Sequence, residues 1–291
     1  MSFAPLAFET RYRAQRAQRR ALSAAWLVAF VLATAASIVA GEVDLAKLAT
    51  GVPNIIAYVG RTLPSLSFAS LAHDLGEWFW ATDIWLVLLA DTVLMAYLGT
   101  LAGAAMAGLG AFVAADRLTP HPAARFAVRR GFEIARTVPE LVYALIFVYA
   151  FGTGPLAGVL AITIHTAGAL GKLFSEAAEN ASLAPLDAVY ASGGGWATGM
   201  RFAILPQVLP DWTSTALLRF EINVRGAGVL GVVGAGGIGE ELYLVVRQFI
   251  YSDISAILLL LLLTVAVIDV ATGWLRGKLI GAGLMDQGGA R

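Results

Sequence analysis

The chain has 291 residues, of which 14% are charged and 58% are hydrophobic, and its mean hydropathy is +0.75. Soluble domains carry about 25% charged residues, so this composition excludes an ordinary soluble protein and indicates a chain that spans a membrane several times. The formal net charge is zero, so we expect no nucleic-acid partner, and the absence of cysteine excludes disulfides and thiolate chemistry.

Several apolar runs reach the roughly 20 residues that a helix needs to cross the hydrocarbon core, which predicts an all-α, polytopic transmembrane domain. The six predicted spans are 21–40, 84–114, 138–152, 155–175, 208–233 and 254–275. The third is short, which predicts either a helix that starts earlier, near Phe132, or one that is tilted and buried among its neighbours. The first run also resembles a signal peptide, but it is longer than a usual signal core and no small-x-small cleavage site follows.

The lysines and arginines of the short loops predict the orientation, because cytoplasmic loops are enriched in them. With the N-terminus in the cytoplasm, fifteen of these residues lie inside and three lie outside. The inside set is Arg11, Arg13, Arg16, Arg19, Arg20, Arg117, Arg125, Arg129, Arg130, Arg136, Lys172, Arg201, Arg276, Lys278 and Arg291, and the outside set is Lys47, Arg61 and Arg247.

This orientation divides the chain into three parts. Residues 1–20 form a cytoplasmic basic tail, 21–280 form the transmembrane domain, and 281–291 form a C-terminal tail. Residues 41–83 lie on the external side, where their polar and aromatic residues predict short helices at the lipid interface.

A polar, glycine-broken segment at 187–206 lies between two long apolar runs. Its first residues, from Asp187 to Ala191, predict a short helix. Gly193 and the two glycines after it predict the end of that helix, because glycine reaches positive φ without steric cost. Pro206 then predicts the return into the membrane, since proline is tolerated in a first helical turn.

This segment resembles the cytoplasmic EAA loop with which the permease subunit of an ABC importer docks its ATPase. The loop pattern places its positions on Asp187, Ala188, Gly193, Ala203, Leu205 and Pro206. Two residues depart from it: Asp187 stands where glutamate is usual, and Ala203 replaces a larger apolar residue. The resemblance implies a coupling loop over about 176–207, and Glu176 at its start is counted with the ATPase-coupling residues.

Flanking segments resemble permeases of the phosphonate and phosphite branch, the PhnE-like proteins. They are 136–142, 165–176, 205–210, 219–225 and 234–239. The resemblance implies the transmembrane domain of a type I ABC importer in a bacterial inner membrane, with no catalytic activity and no cofactor of its own. It also implies an ATPase that binds ATP and Mg²⁺, an external solute-binding protein and a second permease copy, with a homodimer favoured over a pseudo-two-fold heterodimer.

Ionisable residues at membrane depth are costly, so those of the fifth span are candidates for the substrate pathway. Arg219 lies near mid-membrane and has no acidic residue within helical reach. It therefore either contacts an anionic substrate or forms a salt bridge to Glu140, Asp91 or Asp269 on another helix.

The remaining pathway candidates have structural alternatives as well. Glu221 and Arg225 are four residues apart, which predicts a mutually neutralised pair. Asn223 shares a face with Arg219, where its amide suits an oxyanion. His165 either packs as a hydrogen-bonded core residue or faces a cavity, and Gly236 belongs to a turn near the outer mouth. The full set is Arg219, Asn223, Glu221, Arg225, His165 and Gly236.

Two other functions remain open at this point. One is an ABC permease for another small solute such as an amino acid, because parts of 136–142 and 234–239 also resemble methionine permeases. The other is an intramembrane enzyme, but the sequence has no cysteine nucleophile and no G-x-S-x-G or H-E-x-x-H motif. The three histidines do not show the spacing of a metal site.

Overall fold

A computed structural model describes residues 4–288, which are helical and contain no strand. The chain divides into two compact units, residues 1–60 and residues 61–291. The first unit holds α1 (Ala4–Ala40) and most of α2 (Leu45–Thr62). From Ala4 onward, the predicted basic tail and the first apolar run therefore form one continuous helix. Residues 289–291, at the end of the predicted C-terminal tail, lie outside the described residues.

The second unit is a helical bundle. Its helices are α3 (Leu71–Trp78), α4 (Thr82–Ala114), α5 (Pro122–Thr137), α6 (Glu140–Phe151), α7 (Pro155–Glu179), α8 (Ala184–Ala191), α9 (Trp196–Gly199), α10 (Leu205–Leu230), α11 (Ile238–Arg247) and α12 (Tyr251–Gly288). A π-helical turn joins α9 to α10, and a 3₁₀ turn follows α10.

Helix α7 lies at the centre of this bundle and packs against α4, α5, α6 and α10. Its closest neighbour is α4, which approaches through Gly99 and Gly103. A Cβ on Gly99 would lie 2.6 Å from the Ile162 side chain, and a Cβ on Gly103 would lie 2.8 Å from the Thr163 carbonyl oxygen. This G-x-x-x-G spacing lets the two backbones meet closely, which is how membrane helices gain packing energy.

The apolar helices agree with four of the predicted spans. The segments Arg11–Ala40, Thr82–Ala114, Pro155–Glu179 and Tyr251–Lys278 are each long and apolar enough to cross a membrane. Two bent helix pairs, α5 with α6 and the segment Trp196–Val233 with α11, bring the total to six if each pair is one span. The predicted number of about six helices is therefore at the upper end of what the structure offers.

The third predicted span is where the sequence was misread. Helix α6 begins at Glu140 rather than near Phe132, because α5 ends at Thr137 and the two helices meet at an angle of 88°. Pro139 explains the break, since it has no N–H to donate and disfavours helical backbone at Val138. Ala144 is the only fully buried residue of α6, so the other helices of this chain do not enclose α6 as the alternative predicts.

The bundle has two ends that carry different loops. At one end, which we call the α8 end, α5 and α7 are tied by an ion pair between Arg129 and Glu179, and Trp196 Nε1 donates to the Leu118 carbonyl oxygen at 2.6 Å. At the other, which we call the glycine-turn end, Gly154 N donates to the Gly234 carbonyl oxygen at 2.9 Å. The predicted coupling loop and the glycine-rich turn thus lie at opposite ends of α7.

Candidate functional site

The predicted coupling loop forms a short helix, α8, that is half anchored and half exposed. Leu186 is buried in an apolar cluster with Phe174, Ile204 and other core residues. Asp187 and Ala188 follow it directly and are exposed. A helix turns by about 100° per residue, so anchoring through Leu186 presents these two residues away from the bundle.

Gly193 ends α8 with φ of +86°, as predicted from its place in the sequence. Its N–H donates to the Tyr190 carbonyl oxygen at 3.0 Å, and Gly194 N–H donates to the Val189 carbonyl oxygen at 2.9 Å. These two bonds are the Schellman arrangement that satisfies the last carbonyl groups of a helix. The backbone reversal therefore depends on a residue that tolerates positive φ at position 193.

The return from the loop is a π-helical turn that leads into α10. Ala203 is buried in the apolar cluster beneath α8, and Pro206 lies in the first turn of α10. Gln207, which the sequence did not single out, fastens the hairpin. Its Oε1 accepts from Ser182 N at 3.0 Å, and its Nε2 donates to the Ser182 carbonyl oxygen at 3.1 Å. These bonds connect the segment just before α8 to the first turn of α10.

Glu176 lies on α7 rather than on the exposed surface of α8. It is four residues from Lys172, and the Nζ–Oε1 distance between them is 3.5 Å. Both residues line a polar cavity of about 250 Å³ between α5 and α7, together with Arg129 and Arg136. The structure thus places Glu176 near the base of the loop, among charges that hold α5 and α7 together.

Arg219 lies on the face of α10 that meets α6 and α7. Its Nη2 is 2.5 Å from His165 Nδ1, and His165 Nδ1 is 3.7 Å from Glu140 Oε2. Among the described residues, no carboxylate lies within 4.0 Å of the Arg219 guanidinium. The sequence predicts Glu140 as a possible salt-bridge partner of Arg219, whereas the structure places its carboxylate beside His165 and out of contact with the guanidinium.

The other two alternative partners of Arg219 lie elsewhere. Asp91 lines a cavity beside the glycine-rich turn, at the glycine-turn end of the bundle. Asp269 pairs with Arg225, and the distance from Arg225 Nη1 to Asp269 Oδ2 is 3.3 Å. The predicted Glu221–Arg225 pair is therefore wrong, because each residue has its partner on α12.

Glu221 is buried and bonded to two residues of α12. Arg276 Nη2 donates to Glu221 Oε1 at 2.9 Å, and the Thr272 hydroxyl donates to the same oxygen. Helical spacing favoured Arg225 as the partner of Glu221. The contact with Arg276 depends on the register between α10 and α12, which is not visible in a single sequence.

Asn223 connects three helices in the interior. It is 0% exposed, and its Nδ2 donates to Thr100 Oγ1 at 2.8 Å and to Thr166 Oγ1 at 2.9 Å. Its Oδ1 is buried with no hydrogen-bond partner. In this chain Asn223 therefore holds α10 against α4 and α7, and no pattern in the sequence indicates the two threonines that bind it.

Gly236 lies in a turn built on positive φ, with φ of +79° followed by +74° at Gly237. A Cβ at Gly236 would lie 3.1 Å from Pro155 Cδ, so the turn packs directly on the start of α7. The turn is also fixed by Ile238 N, which donates to Thr92 Oγ1 at 2.9 Å. No group of three or more metal-ligating side chains is found in the described part of the chain.

Known proteins resemble this chain in sequence and in fold. The family described as the binding-protein-dependent transport system inner membrane component matches residues 106–280. The phosphite transport system permease protein PtxC of Stutzerimonas stutzeri is 37% identical over 236 residues, which cover 81% of this chain and 82% of that protein. The phosphate-import permease protein PhnE of Mycolicibacterium smegmatis is 37% identical over 191 residues, which cover 66% of this chain and 36% of that protein.

Among solved structures, an inward-facing form of the MetNI methionine ABC transporter matches with a TM-score of 0.58 at 20% identity. The match covers 68% of this chain and 97% of that one, and it supports the fold of a type I importer. The sequence relatives and this fold agree with the PhnE-like resemblance of the coupling loop and its flanking segments. The chain therefore belongs to the binding-protein-dependent transport system inner membrane component family, as a PhnE-like permease of an ABC importer.

Proposed function

We propose that this chain is the membrane-spanning subunit through which an ATP-driven importer moves a small phosphorus oxyanion, such as phosphite or a phosphonate, into a bacterial cell. The observation that carries the proposal is Arg219, a cation inside the helical bundle whose guanidinium contacts no carboxylate in the part of the chain that the structure describes. Support also comes from relatives that are named for phosphite and phosphate.

Electrostatics favours this class of cargo. An anion loses its hydration when it enters a region of low dielectric, and a fixed positive charge offsets part of that cost. Arginine also offers several N–H donors in a planar fork, which matches the oxygens of a phosphorus oxyanion. The other arginine of α10, Arg225, is paired with Asp269, so Arg219 is the better candidate for contact with cargo.

Energy for transport would come from a separate ATPase that binds ATP and Mg²⁺ and docks on α8. Asp187 and Ala188 are exposed there, while Leu186 and Gln207 connect the helix to the bundle. One chain carries one such loop, so two identical permease chains would serve two ATPase subunits around a two-fold axis. Nucleotide binding would then switch the pathway between two states, with cargo delivered by an external solute-binding protein.

Uptake by the reconstituted complex tests the cargo. The permease, its ATPase and its solute-binding protein would be assembled in proteoliposomes, and accumulation of phosphite, methylphosphonate and methionine would be measured with ATP. We expect ATP-dependent accumulation of phosphite or methylphosphonate and none of methionine. Accumulation of methionine alone would assign the chain to amino-acid import. A complex whose ATPase cannot hydrolyse ATP is the control.

Two glycines of the coupling loop offer a matched test of the docking role. Neither Gly193 nor Gly195 has an atom within 4 Å of an added Cβ, but φ is +86° at Gly193 and −82° at Gly195. Gly193→Val should therefore disturb the end of α8 and lower uptake per ATP hydrolysed, whereas Gly195→Val should not. Equal uptake in the two variants would remove Gly193 from the coupling mechanism. Asp187→Lys should reduce co-purification of the ATPase.

Thiol labelling tests the orientation, because the natural chain has no cysteine. Single cysteines at Thr50, Ala123 and Ser182, all exposed, would be treated with a membrane-impermeant reagent in intact cells. Only the cysteine at position 50 should react from outside. Labelling at position 182 from outside would place α8 away from the cytoplasm and would contradict ATPase docking.

A further inference from the structure

The contact between Arg219 and His165 defines the state of the imidazole. Arg219 Nη2 lies 2.5 Å from His165 Nδ1, and a guanidinium can only donate hydrogen bonds. His165 Nδ1 must therefore accept, which makes the imidazole neutral with its proton on Nε2. The direct partner of this cation is a neutral acceptor.

Among the described residues, the carboxylate of the cluster, on Glu140, makes no contact with the guanidinium. Glu140 Oε2 is 3.7 Å from His165 Nδ1, and its other oxygen faces Gly226, where an added Cβ would be 2.5 Å away. Arg219 Nε is buried, and none of the described residues accepts a hydrogen bond from it. The cluster thus fixes the position of Arg219 while its charge is not cancelled by contact.

We propose that His165 is a positioning residue for the cargo: it holds the Arg219 guanidinium through a neutral acceptor, so that the remaining donors and the positive charge serve the oxyanion. This inference rests on the proposed function and adds a specific arrangement to it. A carboxylate in the place of His165 would bond the guanidinium directly and compete with the cargo.

Moving the carboxylate of the cluster onto Arg219 tests the proposal. The double variant Glu140→Gln with His165→Glu keeps one carboxylate but places it at the position of the imidazole. We expect it to keep the thermal stability of the parent complex and to raise the KM for uptake at least about tenfold, since charge-assisted bonds are the strong ones. Glu140→Gln alone leaves His165 in place and should raise the KM by less than the double variant does.

A second pair of variants keeps the test decisive if the double variant folds poorly. His165→Gln retains a neutral acceptor and should keep uptake within about threefold of the parent, whereas His165→Leu removes the acceptor and should lower uptake much further. His121→Gln, at an exposed histidine before α5, is the control. Equal uptake by the Gln and Leu variants at position 165 would overturn the proposal, as would parental KM in a stable double variant.

The outcomes separate this inference from the function on which it rests. If the parent complex accumulates neither phosphite nor methylphosphonate, the proposed function fails irrespective of the variants. If the parent complex transports one of them and the variants at position 165 behave alike, the role of His165 fails and the function stands.

Discussion

The two polar faces of α10 handle charge in different ways. Towards α12, each charged residue has an oppositely charged partner: Glu221 pairs with Arg276, and Arg225 pairs with Asp269. Towards α6 and α7, Arg219 contacts the neutral ring of His165 instead. One helix therefore carries charged residues with an oppositely charged group in contact and, a few residues away, an arginine whose contact is a neutral ring.

This difference distinguishes charges that hold helices together from a charge available for transport. For a buried ion pair, the free-energy cost of desolvating both charges is nearly as large as their mutual attraction. Such pairs therefore fix the geometry of the helices more than they add stability. A cation without a contacting carboxylate lacks this attraction. Ionisable residues at membrane depth are functional candidates by default. This difference supports our proposal that the Arg219 face serves transport, and we propose that the α12 face of α10 serves helix packing.

Truncation of one arginine on each face is the strongest way to break this comparison. Arg219→Ala should lower uptake of phosphite at least about tenfold, because hydrogen bonds to charged groups contribute roughly 1.5–3 kcal/mol and about 1.4 kcal/mol is a factor of ten. Arg225→Ala should change uptake by less than about threefold, since its pair with Asp269 is half exposed. Similar losses in the two variants would remove the distinction between the faces.

A stability measurement addresses the packing face. Arg276→Ala leaves Glu221, whose side chain is only 8% exposed, with Thr272 as its remaining partner. Removing one partner of a buried pair costs roughly 3–5 kcal/mol, so the thermal midpoint should fall while uptake per folded complex stays normal. Adding Glu221→Gln should restore part of the midpoint. A normal midpoint with reduced uptake would place this pair in the pathway.

Two glycines of α10 sharpen the comparison with a smaller effect. A Cβ at Gly226 would lie 2.5 Å from Glu140 Oε1, and a Cβ at Gly228 would lie 3.2 Å from Leu261 Cδ1 on α12. Gly226→Ala should displace the flexible carboxylate and raise the KM for uptake by at most about threefold. Gly228→Ala should leave the KM unchanged. Both substitutions favour helix formation, so a KM change confined to Gly228→Ala would contradict the assignment of faces.

Local patterns in the sequence were sufficient to predict the helix and the turns of the proposed coupling loop. The end of α8 at Gly193 follows from the freedom of glycine at positive φ, and the re-entry at Pro206 follows from proline in a first helical turn. Long apolar runs likewise located α4, α7 and α12. These features depend on residues that are near one another in the chain.

Features that depend on packing between distant segments were harder to predict from the sequence. The partner of Glu221 is set by the register of α12, so the i,i+4 rule selected the wrong arginine. Helical spacing predicts Asn223 on the face of Arg219, but its hydrogen bonds to Thr100 and Thr166 hold it in the interior. Proline chemistry alone predicts a helix break at Pro139, where α5 and α6 meet at 88°. The apolar run nevertheless favours one uninterrupted span, which is the wrong prediction.

The most direct test of the account is whether the Arg219 face meets water and cargo. Ile222 is exposed one helical turn beyond Arg219, and Leu262 is exposed on α12. In the assembled complex, we predict that Ile222→Cys reacts with a water-soluble thiol reagent and that phosphite slows the reaction, whereas Leu262→Cys shows neither behaviour. If Ile222→Cys is as unreactive as Leu262→Cys, or if phosphite leaves its rate unchanged, the Arg219 face does not line the pathway.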